Sequence, residues 1–185
     1  MFRGLVLGIV VGILLVAAGI FFYFATGTAP VATSGPGIPF EHSLAHLGLN
    51  AYLKKLPHPD PQVPASEENY LAGADVYKKN CAVCHGLPGG SKTAIAEGMA
   101  PKPPQLFEGM GVTDDEPWET HWKVENGIRM TGMPGFKGRL TEPQIWQVTV
   151  MLKNGDKLSP TVMAALKAGE VKTTESGMVT TPAKP

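Results

Sequence analysis

The chain has 185 residues, enough for one ordinary domain with additional segments, and its 16 basic residues balance its 16 acidic ones. This balance gives no indication of nucleic-acid binding, which needs a basic surface. Glycine (22 residues) and proline (17) are too few to indicate disorder throughout the chain, but they predict long loops.

An apolar run near the N-terminus is the first predicted element. Residues 5–24 carry no charged side chain, and a helix of this length can span a hydrocarbon core of about 30 Å. A secretory signal has a shorter apolar region, of about 7–15 residues, before a small-residue cleavage site. Ala25-Thr26-Gly27 could be such a site. The length of the run nevertheless favours an uncleaved transmembrane anchor over residues 1–25.

The charges before this run predict its orientation. Arg3 and the amino terminus are the only ones, and positive charge favours the cytoplasmic side of a membrane. All residues after the anchor would then lie outside the cytoplasm. For a bacterial protein, this predicts a single-pass protein of the inner membrane whose main domain is in the periplasm.

Residues 26–65 are predicted to be a periplasmic linker. Its first part, residues 26–39, is rich in small residues and proline, which is typical of a flexible tether. The four prolines of residues 56–64 make that part extended and stiff. Between them, a short helix is predicted by apolar residues at helical spacing, namely Phe40, Leu44, Leu47 and Ala51. His42 and His46 lie one turn apart on it, but no third metal ligand is evident, so we expect them to face solvent.

The globular part is predicted to extend over residues 66–168, followed by a flexible tail over residues 169–185 with few large apolar groups. Its first helix covers residues 66–80, because Ser66 is a favourable N-cap and apolar residues follow at helical spacing. One face of this helix contains Leu71, Ala74 and Tyr77. Gly73 lies within the helix, where glycine is unfavourable, and this indicates a close crossing with a second helix.

The next five residues, Cys81-Ala82-Val83-Cys84-His85, contain the only two cysteines of the chain. They form a C-x-x-C-H motif, the pattern that attaches a c-type haem. Two thiols at i and i+3 on a helix lie on one face, where they can form thioethers with the two vinyl groups of one porphyrin. The histidine that follows is then placed to be the proximal iron ligand. Bacteria attach haem c outside the cytoplasm, which agrees with the orientation predicted for the anchor.

Three other interpretations of the motif explain less. A thioredoxin-type C-x-x-C requires a βαβ context and gives no reason for His85. A structural zinc site requires four ligands, and no second C-x-x-C or H-x3-5-H motif supplies the rest. A disulfide between Cys81 and Cys84 also leaves the histidine unexplained. The motif therefore predicts one haem c, covalently bound through Cys81 and Cys84.

Loops and three further helices are predicted after the motif. Residues 86–104 are rich in glycine and proline, so we expect a long loop that covers one face of the porphyrin. A capping box at Thr113 and Glu116 predicts a helix that ends at Asn126-Gly127. Trp118 and Trp122 lie one turn apart on it and are expected to pack inward, against the haem edge or the core.

The last two helices also begin at recognisable signals. A second capping box, at Thr141 and Gln144, opens a helix that continues to Asn154-Gly155. Ser159-Pro160 is predicted to cap a short final helix that ends at Gly169. All predicted elements of the globular part are therefore helical.

Over residues 66–168 the chain resembles the class I cytochrome c family. The matching features are the helix before the motif, the motif itself, Gly132-Met133-Pro134 and the late helix with Trp146. The resemblance implies an all-α fold with helices packed around one covalently attached haem, here preceded by the transmembrane helix. It also implies that the first and last long helices cross at Gly73 and Trp146.

The resemblance further implies the groups around the iron. A proline carbonyl after the motif accepts the Nδ1–H of His85 in similar proteins, and the sequence leaves open whether this is Pro101, Pro103 or Pro104. Family members have Gly-Met-Pro before the last long helix, so Met133 is the expected sixth ligand, with Pro134 fixing the backbone beside it.

Other side chains remain as alternative sixth ligands. Met130 is the second choice because it lies in the same loop as the expected ligand. Met99 and Met110 also lie in loops, but we expect core packing for both. His121 lies in the middle of a predicted helix, and the resemblance does not support it as a ligand.

With histidine and methionine ligands the iron has no open position, so one-electron transfer is the expected function and substrate turnover is disfavoured. The sequence thus predicts an electron carrier, not an enzyme, or the electron-transfer subunit of a respiratory or dehydrogenase complex. Its expected partners are the membrane and redox proteins, without nucleic acid. The alternative is a haem enzyme or gas sensor whose distal methionine is labile or absent. A thiol–disulfide protein without haem is a third possibility.

Overall fold

The computed structural model describes residues 2–108 and 114–168. Within these ranges all regular elements are helices and no strand is present. The helices are α1 (Phe2–Ala25), α2 (Glu41–Leu53), α3 (Glu67–Asn80), α4 (Ala82–His85), α5 (Ala94–Gly98), α6 (Pro117–Asn126), α7 (Glu142–Lys153) and α8 (Pro160–Lys167). The predicted tail over residues 169–185 lies outside the described residues. The all-α class is confirmed.

Helix α1 is the predicted apolar segment, and none of its residues is buried. Its mean hydropathy is 3.0, and it is long and apolar enough to cross a membrane by length and composition. A signal sequence near an N-terminus would have the same properties. The structure therefore confirms a long apolar helix, which fits either a membrane anchor or a signal sequence.

The core forms where α3 packs on α7 and α8, and α6 packs on α7 as well. Gly73 lies at the α3–α7 crossing, because a Cβ there would collide with the backbone carbonyl of Gln147 and lie 3.0 Å from Cβ of Met151. The close crossing predicted from Gly73 is thus present. Its partners on α7 are Gln147 and Met151, whereas Trp146 is fully buried and stacks on His121 of α6, with ring centroids 4.0 Å apart. The atoms nearest to Gly73 are thus on Gln147 and Met151, and a direct contact of Gly73 with Trp146 stays a prediction.

The buried face of α3 is slightly rotated from the predicted one. Ala74 and Tyr77 are buried as expected, but Leu71 is 37% exposed. Gly73 and Val76 take its place on the buried face. The rotation follows from the crossing, because the glycine must face α7 for the two backbones to approach.

Helix boundaries agree with the capping signals in three places and differ in one. Ser66, Thr141 and Ser159 are N-caps as predicted. The helix expected from a capping box at Thr113 and Glu116 instead begins at Pro117, with Glu116 itself as the N-cap. The N1 proline sets this later start because its fixed φ suits a first helical residue and it needs no hydrogen-bond partner.

The loop after the motif also differs from the prediction, because it contains helix α5. Thr93 caps this helix by accepting a hydrogen bond from the backbone nitrogen of Ala96 at 3.1 Å. Glycine and proline are frequent around this segment, so the sequence predicted a loop in place of this single helical turn.

The predicted linker packs against the domain that follows it. Helix α2 forms as expected, but Leu53 in its last turn is only 3% exposed. Tyr52 lies against Trp122, with ring centroids 5.5 Å apart, and His58 stacks on Trp118 at 4.0 Å. The two tryptophans are half-buried and pack on linker side chains, and neither belongs to the buried core. Their contact with the haem edge stays a prediction. The second half of the linker is part of the folded unit and is not a free spacer.

Replacement of Gly73 by alanine tests the central crossing. The added Cβ would meet the Gln147 backbone, which cannot move without displacing α7. We expect a loss of unfolding free energy of about 1–3 kcal/mol, as for other overpacked sites. Denaturant unfolding of the haem-loaded protein, followed by circular dichroism, measures it. Gly48→Ala on α2 is the matched control, since a Cβ there meets nothing within 4 Å. Equal stability of the two variants would contradict the crossing.

Candidate haem-binding site

The C-x-x-C-H motif continues α3 as a tight turn. Cys81 ends α3 and precedes α4, and its carbonyl accepts hydrogen bonds from the backbone nitrogens of Cys84 (3.0 Å) and His85 (2.9 Å). Both cysteines are half-buried and neither is in a disulfide. Burial and the neighbouring Cys84 thiol raise the pKa of Cys81 to about 12. Disulfide oxidoreductases need the opposite shift, so this environment argues against a thiol-exchange role.

The imidazole of His85 is oriented by one hydrogen bond. Its Nδ1 lies 2.8 Å from the carbonyl oxygen of Pro104, so Nδ1–H donates and Nε2 is the nitrogen available to a metal. The structure thereby selects Pro104 among the three prolines left open by the sequence. Burial lowers the pKa of His85, and the bond to Pro104 only partly opposes this effect. The ring is therefore neutral at physiological pH, as an iron ligand must be.

The backbone after the motif is fixed by a buried tyrosine. The hydroxyl of Tyr77 donates to the carbonyl oxygen of Gly86 at 2.7 Å. Gly86 has φ 73° and ψ 177°, a conformation that only glycine adopts readily. A Cβ at this position would also collide with the side-chain oxygen of Gln105. These contacts hold the loop that carries Pro104 against the end of the motif.

A second loop, between α6 and α7, holds the proposed methionine ligand. It starts at Gly127 (φ 71°, ψ 179°), where a Cβ would lie 2.9 Å from the carbonyl oxygen of Met133. That carbonyl accepts a hydrogen bond from the nitrogen of Ile128 at 3.2 Å. The hydroxyl of Thr131 accepts from the nitrogen of Met133 at 3.1 Å and donates to the carbonyl of Ile128 at 2.7 Å. The loop is thus closed on itself, with the backbone of Met133 held at both its N–H and its C=O.

The candidate sixth ligands differ in their surroundings. Met133 is half-buried and packs against the core cluster, whereas Met130 has a positive φ of 62° and is 74% exposed. Met99 touches Gly132, beside the proposed ligand. Met110 lies outside the described residues. His121 stacks on Trp146, and its Nε2 is 2.9 Å from Glu142 Oε1 without hydrogen-bond alignment.

Three contacts of the site were missed by sequence reasoning. Thr93 donates from its hydroxyl to the carbonyl of Val83, inside the motif, at 2.7 Å. Gln105 packs on Gly86, and its Nε2 is buried without a hydrogen-bond partner in residues 2–108 and 114–168. Thr131 bridges the methionine loop as described above. Only Thr93 gave a signal, since threonine before a short apolar stretch is a typical N-cap.

The donor groups fit a covalently bound haem. Two reduced thiols lie on one turn. The neutral imidazole of His85 donates its Nδ1–H to Pro104, which leaves Nε2 available to iron. A half-buried thioether, that of Met133, lies in a second loop. Haem c would be held by Cys81 and Cys84, and when bound it supplies a one-electron iron couple. The buried Nε2 of Gln105 has no hydrogen-bond partner among the described residues, so it is available as a donor to a bound group.

Replacement of Gly127 by alanine tests whether this glycine positions the methionine loop. The variant combines a disfavoured φ with a clash against the carbonyl of Met133, so we expect weakened methionine ligation. The weak near-infrared band of methionine bound to ferric haem should shrink or vanish. Gly138→Ala is the matched control, because Gly138 has φ 77° but no atom within 4 Å of a Cβ. An unchanged band in Gly127→Ala would exclude this role.

The part of the chain that contains these loops matches known c-type cytochromes. A family model described as cytochrome c oxidase, cbb3-type, subunit III matches residues 68–150. Cytochrome c6 of Limnospira maxima is 38% identical to the chain over 77 residues, which are 42% of this chain and 82% of that protein. No solved structure is significantly similar to the chain. The resemblance deduced from the motifs is thus confirmed, and the chain belongs to the class I c-type cytochromes, all-α electron-transfer proteins with one covalently bound haem c.

Proposed function

We propose that this cytochrome is a membrane-anchored electron carrier whose iron is ligated by His85 and Met133. The observation that carries the proposal is the contrast between the two loop methionines. Met133 is half-buried against the core with its backbone held on both sides, while Met130 extends into solvent. This contrast supports Met133 over Met130 as the internal ligand. The neutral His85, held by Pro104, supplies the ligand on the other side.

Each residue of the site then has a defined task. Cys81 and Cys84 fix the porphyrin covalently, so the cofactor cannot dissociate between electron-transfer events. Pro104 prevents rotation of the His85 ring. Thr131 and Gly127 keep Met133 in one place, so the ligand need not move when the iron changes oxidation state. A closed, rigid coordination shell favours electron transfer over substrate binding.

The apolar helix α1 supports an anchor in the bacterial inner membrane, with the haem domain (residues 66–168) in the periplasm. The lone Arg3 before the span and the external site of haem attachment both favour this orientation. The matching family description names a subunit of a cbb3-type oxidase. We therefore place this protein beside a respiratory complex, either as its electron-transfer subunit or as a tethered electron donor.

Substitution of Met133 by leucine tests the proposed ligand. The change keeps the side-chain volume but removes the sulfur, so the near-infrared band should disappear and carbon monoxide should bind rapidly to the reduced protein. Met133→His should restore six-coordination and lower the reduction potential, because methionine ligation raises it. Optical spectra and redox titration measure these changes.

Met130→Leu is the matched control, because it changes the same kind of residue in the same loop. We expect it to keep the band, the potential and slow carbon monoxide binding. The opposite pattern, with the band lost in Met130→Leu and kept in Met133→Leu, would assign the ligand to Met130. Absence of the band from the unmodified protein would instead favour a haem enzyme or gas sensor.

The anchor has its own test. Full-length protein expressed with haem maturation should stay in the membrane pellet after an alkaline carbonate wash, which removes peripheral proteins. Mass spectrometry of the purified protein should show that residues 2–25 are retained. A mature N-terminus near Ala25-Thr26, with soluble haem protein in the periplasm, would show that α1 is a signal sequence.

A further inference from the structure

Helix α2 has apolar side chains on two nearly opposite faces. At about 100° per residue, one face contains Ala45, Leu49 and Leu53, and the opposite one contains Leu44, Leu47 and Ala51. A helix that only connects two segments of the chain does not need apolar side chains on either face. Two apolar faces indicate that the helix lies between two apolar surroundings.

The first face is the one directed to the protein. Its exposure decreases along the helix, from the partly buried Ala45 and Leu49 to Leu53, which is 3% exposed. The contact of Tyr52 with Trp122 and the stack of His58 on Trp118 fix this end of the helix to α6. The C-terminal end of α2 therefore moves with the haem domain.

The second face has no protein partner within the described residues. Leu44 is 65% exposed, Leu47 is 67% exposed, and Phe40, which precedes the helix, is 77% exposed. Isolated apolar side chains on a surface are common, but two large ones on one helix face, with a third directly before the helix, form a patch that is typical of a binding surface.

The charges around α2 suit an anionic, apolar surface. Glu41 is the only charged residue of the helix, and its carboxylate accepts a hydrogen bond from the backbone nitrogen of Ile38 at 2.9 Å. Lys54 and Lys55 follow directly after the helix and are both exposed. Basic residues beside an apolar helix face are typical of helices that bind to lipid headgroups.

The chain itself brings α2 close to a membrane. Helix α1 ends at Ala25, so only residues 26–40 separate the proposed span from α2. Such a short connection confines α2 to the neighbourhood of the bilayer surface, where the local lipid concentration is high. Within the described residues, α2 is connected to the proposed span at its N-terminal end and packs on α6 at its C-terminal end.

We propose that α2 lies in the bilayer interface, with Phe40, Leu44 and Leu47 inserted among the lipids and Lys54 and Lys55 at anionic headgroups. The proposal rests on the membrane anchoring proposed above. Helix α2 is then held by lipid along one face and by α6 at its C-terminal end. It forms a rigid connection between the membrane and the haem domain. The haem domain then has a fixed orientation to the membrane and does not swing on the whole linker.

Spin labelling of the haem-loaded, full-length protein in vesicles tests this. Both native cysteines are bound to haem, so one introduced cysteine carries a single nitroxide. Leu47→Cys reports on the proposed lipid face. His46→Cys is its matched control, one residue earlier and exposed on another face. Leu14→Cys, in α1, reports on the anchor. Vesicles of phosphatidylethanolamine and phosphatidylglycerol, with oxygen and a water-soluble nickel chelate as relaxing agents, give the depth of each label.

The expected result is a severalfold lower accessibility of the Leu47 label to the nickel chelate than that of the His46 label, with higher accessibility to oxygen. Equal water accessibility of the two labels, with the Leu14 label inside the bilayer, would overturn the interfacial helix and leave the anchor intact. Water accessibility of the Leu14 label would refute the anchor as well. Spin–spin broadening between Leu47 labels in detergent micelles would show that a second copy of the chain covers this face, which also overturns the proposal.

Discussion

The close approach of α3 to α7 at Gly73 is the contact on which the haem site depends. With no Cβ at this position, the two helices meet almost backbone to backbone. The motif is the direct continuation of α3, and the methionine loop connects α6, which packs on α7, to the start of α7 itself. Helix α7 is therefore the common support of both loops that supply the proposed ligands. A change in the α3–α7 distance would move His85 relative to Met133.

Short, closed loops complete the site where the helices end. Gly86 and Gly127 both adopt backbone conformations that strongly favour glycine, and each begins a loop that carries a ligand or its support. Hydrogen bonds to backbone atoms, from Tyr77 to Gly86 and between Thr131 and its loop, then fix the course of the chain. We expect such a scaffold to change little between oxidation states, which is the property that an electron carrier needs.

The sequence alone predicted the parts of this structure that depend on local chemistry. The motif with His85 and the helices after good N-caps follow from spacing and capping, so they could be predicted without tertiary information. The choice of Pro104 could not, because it depends on which carbonyl the folded loop brings to the imidazole. The burial of Leu53 and the stacking of His58 on Trp118 were missed for the same reason, since contacts between distant segments leave no local pattern.

We propose that the iron has one histidine and one methionine ligand in both oxidation states. Iron X-ray absorption of the haem-loaded protein, recorded separately in the ferric and ferrous forms, measures this most directly. We expect a single sulfur scatterer in the first shell of both forms, with the porphyrin and imidazole nitrogens completing the coordination. A shell without sulfur, or a sulfur that is present in only one oxidation state, would contradict it.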